Sequence, residues 1–301
     1  MVKKLSSIEP IVFSIVTPSY QQAQFIEETI LSVINQQGDF KIEYIIADGG
    51  SNDGSVEIIK KYDELTKSDE FKPKCRGITF QWWSKSDKGQ SDAINKGFKR
   101  ATGDYIAWLN SDDLYTPNAL QQAKEAFDKY PTAGLIYADY DMVAVDGSLV
   151  ESKHGVEFNI ERLIHDGNFI AQPASFMRRS SLLHVGLLNP DYHYAMDYDL
   201  WIRLGKAYPA QYIEGLIWAK FRLHNDSKTV SLEKEFWRDE KKVSKANGGG
   251  ITSPLFKRHY FGNHPKVLAF LNKLGRGYIL VKNGHVKQFS TKLKKNIFFW
   301  S

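Results

Sequence analysis

SKSDKGQSDAINKGFKRATGDYIAWLNSDD, residues 84–113, decides the fold, because it holds a helix and a buried strand joined by one tight turn. Ser91 or Asp92 is placed to cap a helix that ends near Thr102 and Gly103. Asp104 to Leu109 is a short apolar run of strand length that stops at Asn110, Ser111, Asp112 and Asp113. The same alternation extends upstream. Ile78 to Ser84 reads as a strand leading to Asp87. Glu43 to Ala47 reads as another that ends at Asp48, after which GGSNDGS, with Asn52 or Asp53 as N-cap, opens a helix through about Lys61. Ile11 to Thr17 runs into Pro18, Ser19 and Tyr20. A helix from about Gln22 to Gln36 then buries Phe25, Ile26, Ile30, Val33 and Ile34, and Gly38 stops it. Strands alternating with helices predict an α/β fold, a Rossmann-like, mostly parallel sheet with flanking helices. Ligands of such sheets bind outside the carboxyl ends of the strands, and here each strand end delivers polar or acidic groups. Beyond Pro131 the pattern loosens into a strand at 134–138, a turn at Asp146 and Gly147, and helices around Ile160 and over 198–207.

The bulk properties fit that reading. A chain of 301 residues with 42% apolar content can bury a full core and is neither disordered nor fibrous in composition. Cys75, the single cysteine, allows no internal disulfide and no paired thiolate site, which suits a reducing compartment, with cytoplasm as the expectation. No stretch of about 18 consecutive apolar residues predicts a membrane span. The N-terminal MVKKLSSIEP reads as a leader into the first strand. Charge is uneven: from Lys241 onward there are 13 Lys or Arg and no Asp or Glu, which leaves 27 basic against 35 acidic residues before it.

Asp112 and Asp113 offer hard oxygen ligands of the kind that Mg2+ or Mn2+ prefers, and such an ion would neutralise a diphosphate leaving group. Taken alone, an adjacent pair of aspartates also reads as a solvated turn before Pro117. Asp48 and Asp87 stand at neighbouring strand ends, and each could merely start its own turn. Together, the acidic groups repel one another unless a cation or a nucleotide ribose sits among them.

TPSYQQAQFIEETILSVINQQ (17–37), YIIADGGSNDGS (44–55) and residues 84–113 resemble, in order and spacing, the nucleotide-binding motifs of the family-two glycosyltransferases. These form the large inverting group with the GT-A fold, and the resemblance is dense over residues 11–120 and sparse to about 230. It implies that Thr17, Pro18 and Tyr20 line the base, that Asp48 holds base or ribose, and that Asp87 sits by ribose and sugar. Asp112 and Asp113 fill the metal motif, with Asn110 where many relatives carry an acid. Asp113 is then expected on Mn2+ or Mg2+ and Asp112 shared between ribose and metal. YAMDYDLWIRL (194–204) resembles the acceptor motif, which makes Asp197 the general base. Asp197 also reads as the N-cap of the helix it begins, and Asp199 is expected to point elsewhere. His224, in FRLHNDSKT, resembles a late histidine of the metal shell and reads as well as an ordinary loop residue. Arg222 and Lys228 are candidates for gripping phosphate, and Gln172 for the acceptor side.

The resemblance therefore implies a metal-dependent, inverting enzyme that moves one sugar from a nucleotide sugar, UDP being the commonest donor, to a carbohydrate or lipid-linked carbohydrate acceptor. Bacterial surface polysaccharide or lipopolysaccharide assembly is the usual setting. The implied organisation is a GT-A catalytic domain over 1–235, its nucleotide-binding half at about 8–120 and its acceptor half at 121–235, then a basic helical appendage over 236–301. The appendage, with KVLAFLNKLGRGYILV (266–281), reads as a peripheral contact with the anionic inner face of a membrane or as a solvated helical cover; nucleic-acid binding has only charge in its favour. No QxxRW sequence points to a processive polymerase. The alternative functions are a nucleotidyltransferase, for which no GxxxxGKS loop is present, and a non-catalytic carbohydrate or lipid-surface binder.

Overall fold

A computed structural model of the chain describes residues 9–224, 233–250 and 253–255. The stretch with Lys228 and the basic segment from residue 256 onward lie outside the described residues, and with them most of the expected appendage.

The first half builds β1 (Val12–Ser19), α1 (Ile26–Ile34), β2 (Lys41–Asp48), α2 (Ser55–Lys67), β3 (Ile78–Ser84), α3 (Gln90–Arg100) and β4 (Tyr105–Trp108). β3, β2, β1 and β4 lie side by side and parallel, Thr17 opposite Ile46 and Ser19 opposite Asp48. Alternation along β1 explains why both faces are covered. Phe13 and Ile15 pack with α1, α2 and the following helix α4 (Ala119–Lys129), whereas Val16, with Ile45, Ile106 and Trp108, packs under α3 and later helices. Gly97 has a steric reason to be in α3, since a Cβ there would lie 2.4 Å from Val16 Cγ1.

Two expected caps are replaced. α2 begins after Gly54 (φ +103°), and Asp53 instead accepts from the backbone N–H of Ser55 and of Ala23. α3 begins after Gly89, with Asp92 inside the first turn accepting from Lys88 N–H. α1 also starts later than expected, at Ile26, after a turn in which the Phe25 and Ile26 N–H groups both donate to Gln22 O.

The second half adds β5 (Leu114–Tyr115), β6 (Leu135–Val143), β7 (Leu149–Lys153), α5 (Ile160–Asp166), a 3-10 turn (Gln172–Ala174), β8 (Ser175–Arg178), α6 (Arg179–Val185), α7 (Met196–Ala207), β9 (Ala210–Arg222) and α8 (Glu233–Ala246). It completes one sheet in the order β3-β2-β1-β4-β8-β6-β9-β5, with β7 on β6. β8, β7 and β5 run antiparallel to their neighbours, so the sheet is mixed where the sequence pattern was loose. β9 follows β6 in parallel and slips register twice near Asp139, which carries its far end to β5 and the loop after β4. No helix among the described residues is long and apolar enough to cross a membrane.

Candidate active site

The carboxyl ends of β1, β2, β3 and β4 open on one cavity of about 910 Å3. Its near wall carries Pro18, Tyr20, Gly49 and Asp87 and the loop Asn110–Asp113; its far wall carries Asn168, Gln172, His193, Tyr194, Asp197 and, from α8, Phe236, Trp237 and Glu240.

Tyr20 stands at the mouth, 62% exposed, as an aromatic face free to receive a planar ring. Its loop is held rigidly, because the next residue, Gln21, exchanges two amide hydrogen bonds with Asn52. Gly49 is squeezed between Tyr20 and Asp87: a Cβ there would lie 3.2 Å from Tyr20 Cδ2 and 3.1 Å from Asp87 Oδ2. Asp87 faces the cavity and accepts from Gly89 N–H. Two of the expected base contacts are enclosed instead. Thr17 is fully buried, its hydroxyl 3.1 Å from that of Tyr44. Asp48 is fully buried as well, its carboxylate accepting from the Gly50 and Ser51 N–H groups and from the hydroxyls of Ser19, Ser51 and Ser84. That saturates its oxygens and makes Asp48 the knot of the turn.

The loop after β4 is fixed from three directions. Thr29 of α1 donates its hydroxyl to the carbonyls of both Ser111 and Asp113 at 2.9 Å. Asn110 joins Gln90, Gln172 and Asp113 through its amide. Arg222, at the end of β9 and 1% exposed, gives its backbone N–H to Asp113 Oδ1 and its guanidinium to Asp112 O, Val145 O and Glu28. Arg222 is therefore spent on holding the loop and does not grip phosphate. Two residues on, His224 Nε2 lies 2.9 Å from Asp112 Oδ2, its ring packed on Phe25.

Asp113 is 1% exposed, and burial together with the neighbouring Asp112 carboxylate pushes its carboxyl well above the usual range. Asp87, Asp112, Asp113, Asp197 and Glu240 all line the cavity, and no Lys or Arg does among the described residues. Carboxylate oxygens, one imidazole and an excess of negative charge make a donor set that fits a hard divalent cation. No group of three such side chains among the described residues is gathered closely enough to form a finished cage.

Across the cavity, Asp197 lies in the first turn of α7. Ala195 holds the N-cap position, so Asp197 is not the cap. Its Oδ2 accepts from the Asn168 side-chain amide at 2.9 Å and its Oδ1 from Tyr198 N–H at 2.8 Å. Burial pushes its carboxyl up from 3.8 to about 6, against the opposing pull of those hydrogen bonds. Asp199 turns away, as expected, into a 2.9 Å ion pair with Arg203. Gln172 lines the cavity and donates to Trp108 O.

Sequence reasoning missed Asn168, the partner of Asp197, and the whole face of α8. Neither carries a local signal, since each reaches the site by long-range packing. Thr29 is different, because a threonine on the buried side of an apolar helix is a polar group in need of a partner, and that was readable.

The model of the family described as Glycosyl transferase family 2 matches residues 14–186. An uncharacterized glycosyltransferase of Rickettsia conorii is 27% identical over 237 residues, 74% of this chain but only 36% of that protein. One of Rickettsia typhi is 24% identical over 302 residues, 96% of this chain and 86% of its own length. Among solved structures, residues 1–349 of Staphylococcus aureus TarS in complex with UDP-GlcNAc superimpose with a TM-score of 0.57 at 16% identity, covering 77% of this chain and 65% of that one. The Pyrobaculum calidifontis mannosyltransferase PcManGT, in complex with GDP-Man and Mn2+, does so with a TM-score of 0.57 at 14% identity, covering 97% and 81%. The fold is that of the GT-A glycosyltransferases. With more than half of its residues matched by the family's model, the chain belongs to glycosyltransferase family 2.

Proposed function

We propose that the chain transfers a single sugar, with inversion, from a nucleoside diphosphate sugar to a hydroxyl of a carbohydrate or lipid-linked carbohydrate. The observation that carries this reading is one cavity with an aromatic mouth and a carboxylate loop on one wall and a carboxylate of raised pKa on the other. Tyr20 and Pro18 receive the base, Asp87 meets ribose or sugar, and Asp48 acts through the turn that it holds. UDP is favoured because it is the commonest donor in the family, while the structural neighbours include both a UDP-GlcNAc and a GDP-Man complex.

Asp112, Asp113 and His224 would hold Mn2+ or Mg2+, which when bound supplies positive charge against the diphosphate. The protein's own chemistry lies at Asp197. An aspartate with a carboxyl near 6 is ionised at neutral pH and still basic enough to take a proton. As the acceptor oxygen bonds to the anomeric carbon, its proton passes to Asp197, and the bond from that carbon to the diphosphate oxygen breaks on the opposite face. Asn168 keeps the carboxylate turned towards the acceptor. Work on bacterial surface polysaccharide, at the inner face of a membrane, belongs to the same proposal.

The test is a melting and nucleotide-release screen against UDP-, GDP-, dTDP- and CMP-sugars, with Mn2+, Mg2+ or chelator. Binding raises the melting temperature even when the acceptor is missing. A metal-dependent rise with one donor class, with slow diphosphate release, is expected; no rise with any donor and metal refutes the proposal.

A further inference from the structure

The far wall of the cavity is made in part by a helix that lies outside the residues matched by the family model. α8 is bolted to the segment that precedes the proposed base. Asp239, 2% exposed, accepts the backbone N–H of His193 at 2.9 Å and of Tyr194 at 3.2 Å. Ser244 donates to Ile164 O at 2.7 Å, and Val243 is fully buried in the core under the sheet. Phe236 and Glu240 share this anchored face nearer the start of the helix, and with Trp237 they line the cavity.

That face carries a specific combination. Phe236 meets Trp237 edge to face, at 6.0 Å and 82°, which fixes the plane of the indole. Glu240 is 4% exposed, and its Oε1 lies 3.5 Å from the backbone N–H of Asn168, the residue whose side chain holds Asp197. A large aromatic face beside a buried carboxylate and an amide matches a pyranose ring, which offers C–H groups on its faces and hydroxyls on its edge. An anionic group would be repelled by Glu240 and Asp197, so a diphosphate does not belong at this end.

Resting on the sugar-transfer reading, we propose that α8 is the acceptor platform: a pyranose ring of the acceptor stacks on Trp237 and gives a hydroxyl to Glu240, which presents a neighbouring hydroxyl to Asp197. The acceptor is then itself a sugar, and the residues that select it are outside the family's shared segment.

The experiment follows the indole N–H resonances of the seven tryptophans in the full chain, the Trp237 signal being assigned by its absence in Trp237→Phe. Methyl glycosides of glucose, galactose, mannose and N-acetylglucosamine are added with diamagnetic Mg2+ and UDP or GDP, and thermal protection by the nucleotide is read in the same samples. At least one glycoside is expected to move the Trp237 resonance, and Trp237→Leu to weaken its binding about tenfold, the scale of one lost aromatic contact and its buried area. Comparing a methyl glycoside with its octyl counterpart separates the sources: equal shifts indicate a free sugar, and tighter binding of the octyl form with the same ring dependence indicates a lipid-linked one. Nucleotide protection without any glycoside shift at Trp237, or Trp237→Leu binding as well as the parent, overturns the platform and leaves the sugar-transfer reading standing. Absence of protection by every nucleotide overturns both. Should Trp237→Leu not fold, the shift in the parent protein still decides.

Discussion

Replacing Asp197 by Asn keeps the outline of the side chain and removes its charge, which separates the cost of the carboxylate from its use. Burial moves that carboxyl from 3.8 to about 6. At about 1.4 kcal/mol per unit, the folded protein disfavours the ionised form by roughly 3 kcal/mol. The sign follows from linkage: because the folded value is the higher one, stability is fullest below about pH 4 and is lost as the pH rises to about 6. Asn carries no such penalty, but sets one amide N–H against the Asn168 donor, a mismatch of about 1 kcal/mol. Asp197→Asn should therefore be more stable than the parent by about 2 kcal/mol at pH 8, or about 4 °C in Tm for a chain of this size, and slightly less stable at pH 4. Sugar transfer should fall by at least about 100-fold, the usual contribution of a general base. Melting curves of both proteins between about pH 4 and 8, with transfer assays above neutrality, test this. A Tm difference that does not change with pH would refute the assignment of a raised carboxyl, and transfer within tenfold of the parent would refute its role as base.

Asn168→Ala removes a hydrogen bond that favours the charged form of Asp197, so the acid limb of the pH–rate profile should move to higher pH; a profile left in place would separate Asn168 from the base. Gly49→Ala puts a methyl group 3.1 Å from Asp87 Oδ2 and 3.2 Å from Tyr20 Cδ2, which must give way, and should weaken nucleotide binding at least about tenfold with little change in Tm. Unaltered protection by nucleotide would show that this wall is not a binding surface. Asp112→Ala, like excess chelator with the parent, should abolish the metal-dependent part of the nucleotide protection, with the fold retained. Protection that persists in both would refute the cation site.

The nucleotide half was legible because its signals are local. Each strand from β1 to β4 is a short apolar run closed by polar residues, and the helices between them carry their buried side at helical spacing. What sequence placed wrongly there were the caps, since Gly54 and Gly89 hold the cap positions expected of Asn52 or Asp53 and of Ser91 or Asp92. The later strands were hidden for a physical reason. β9 mixes buried, half-buried and exposed residues without a clean alternation; it lies beside β6 along its length and touches β5 only at the end, so its pattern is set by partners far away in sequence. Asp48 carries a similar lesson. Its position at a strand end was read correctly, but five donors in and around its own turn take its oxygens, a matter of local geometry that residue type alone does not disclose. Asp197 was singled out by resemblance and lies on the cavity, whereas the groups around its carboxyl, Asn168 and the enclosing wall, come from contacts across the fold.

A cavity lined by Asp87, Asp112, Asp113, Asp197 and Glu240, with no Lys or Arg among its described residues, also has a kinetic consequence. On the proposed function, the field of this described wall opposes a free anion and favours a cation, so encounter with a bare nucleotide is expected to speed up as salt rises, the reverse of ordinary electrostatic steering. The same field acts on the way out. On the proposed function, a diphosphate that sheds its counter-ion inside such a wall would be pushed towards solvent, so carboxylates that admit a charge-neutralised nucleotide would also help to clear the product.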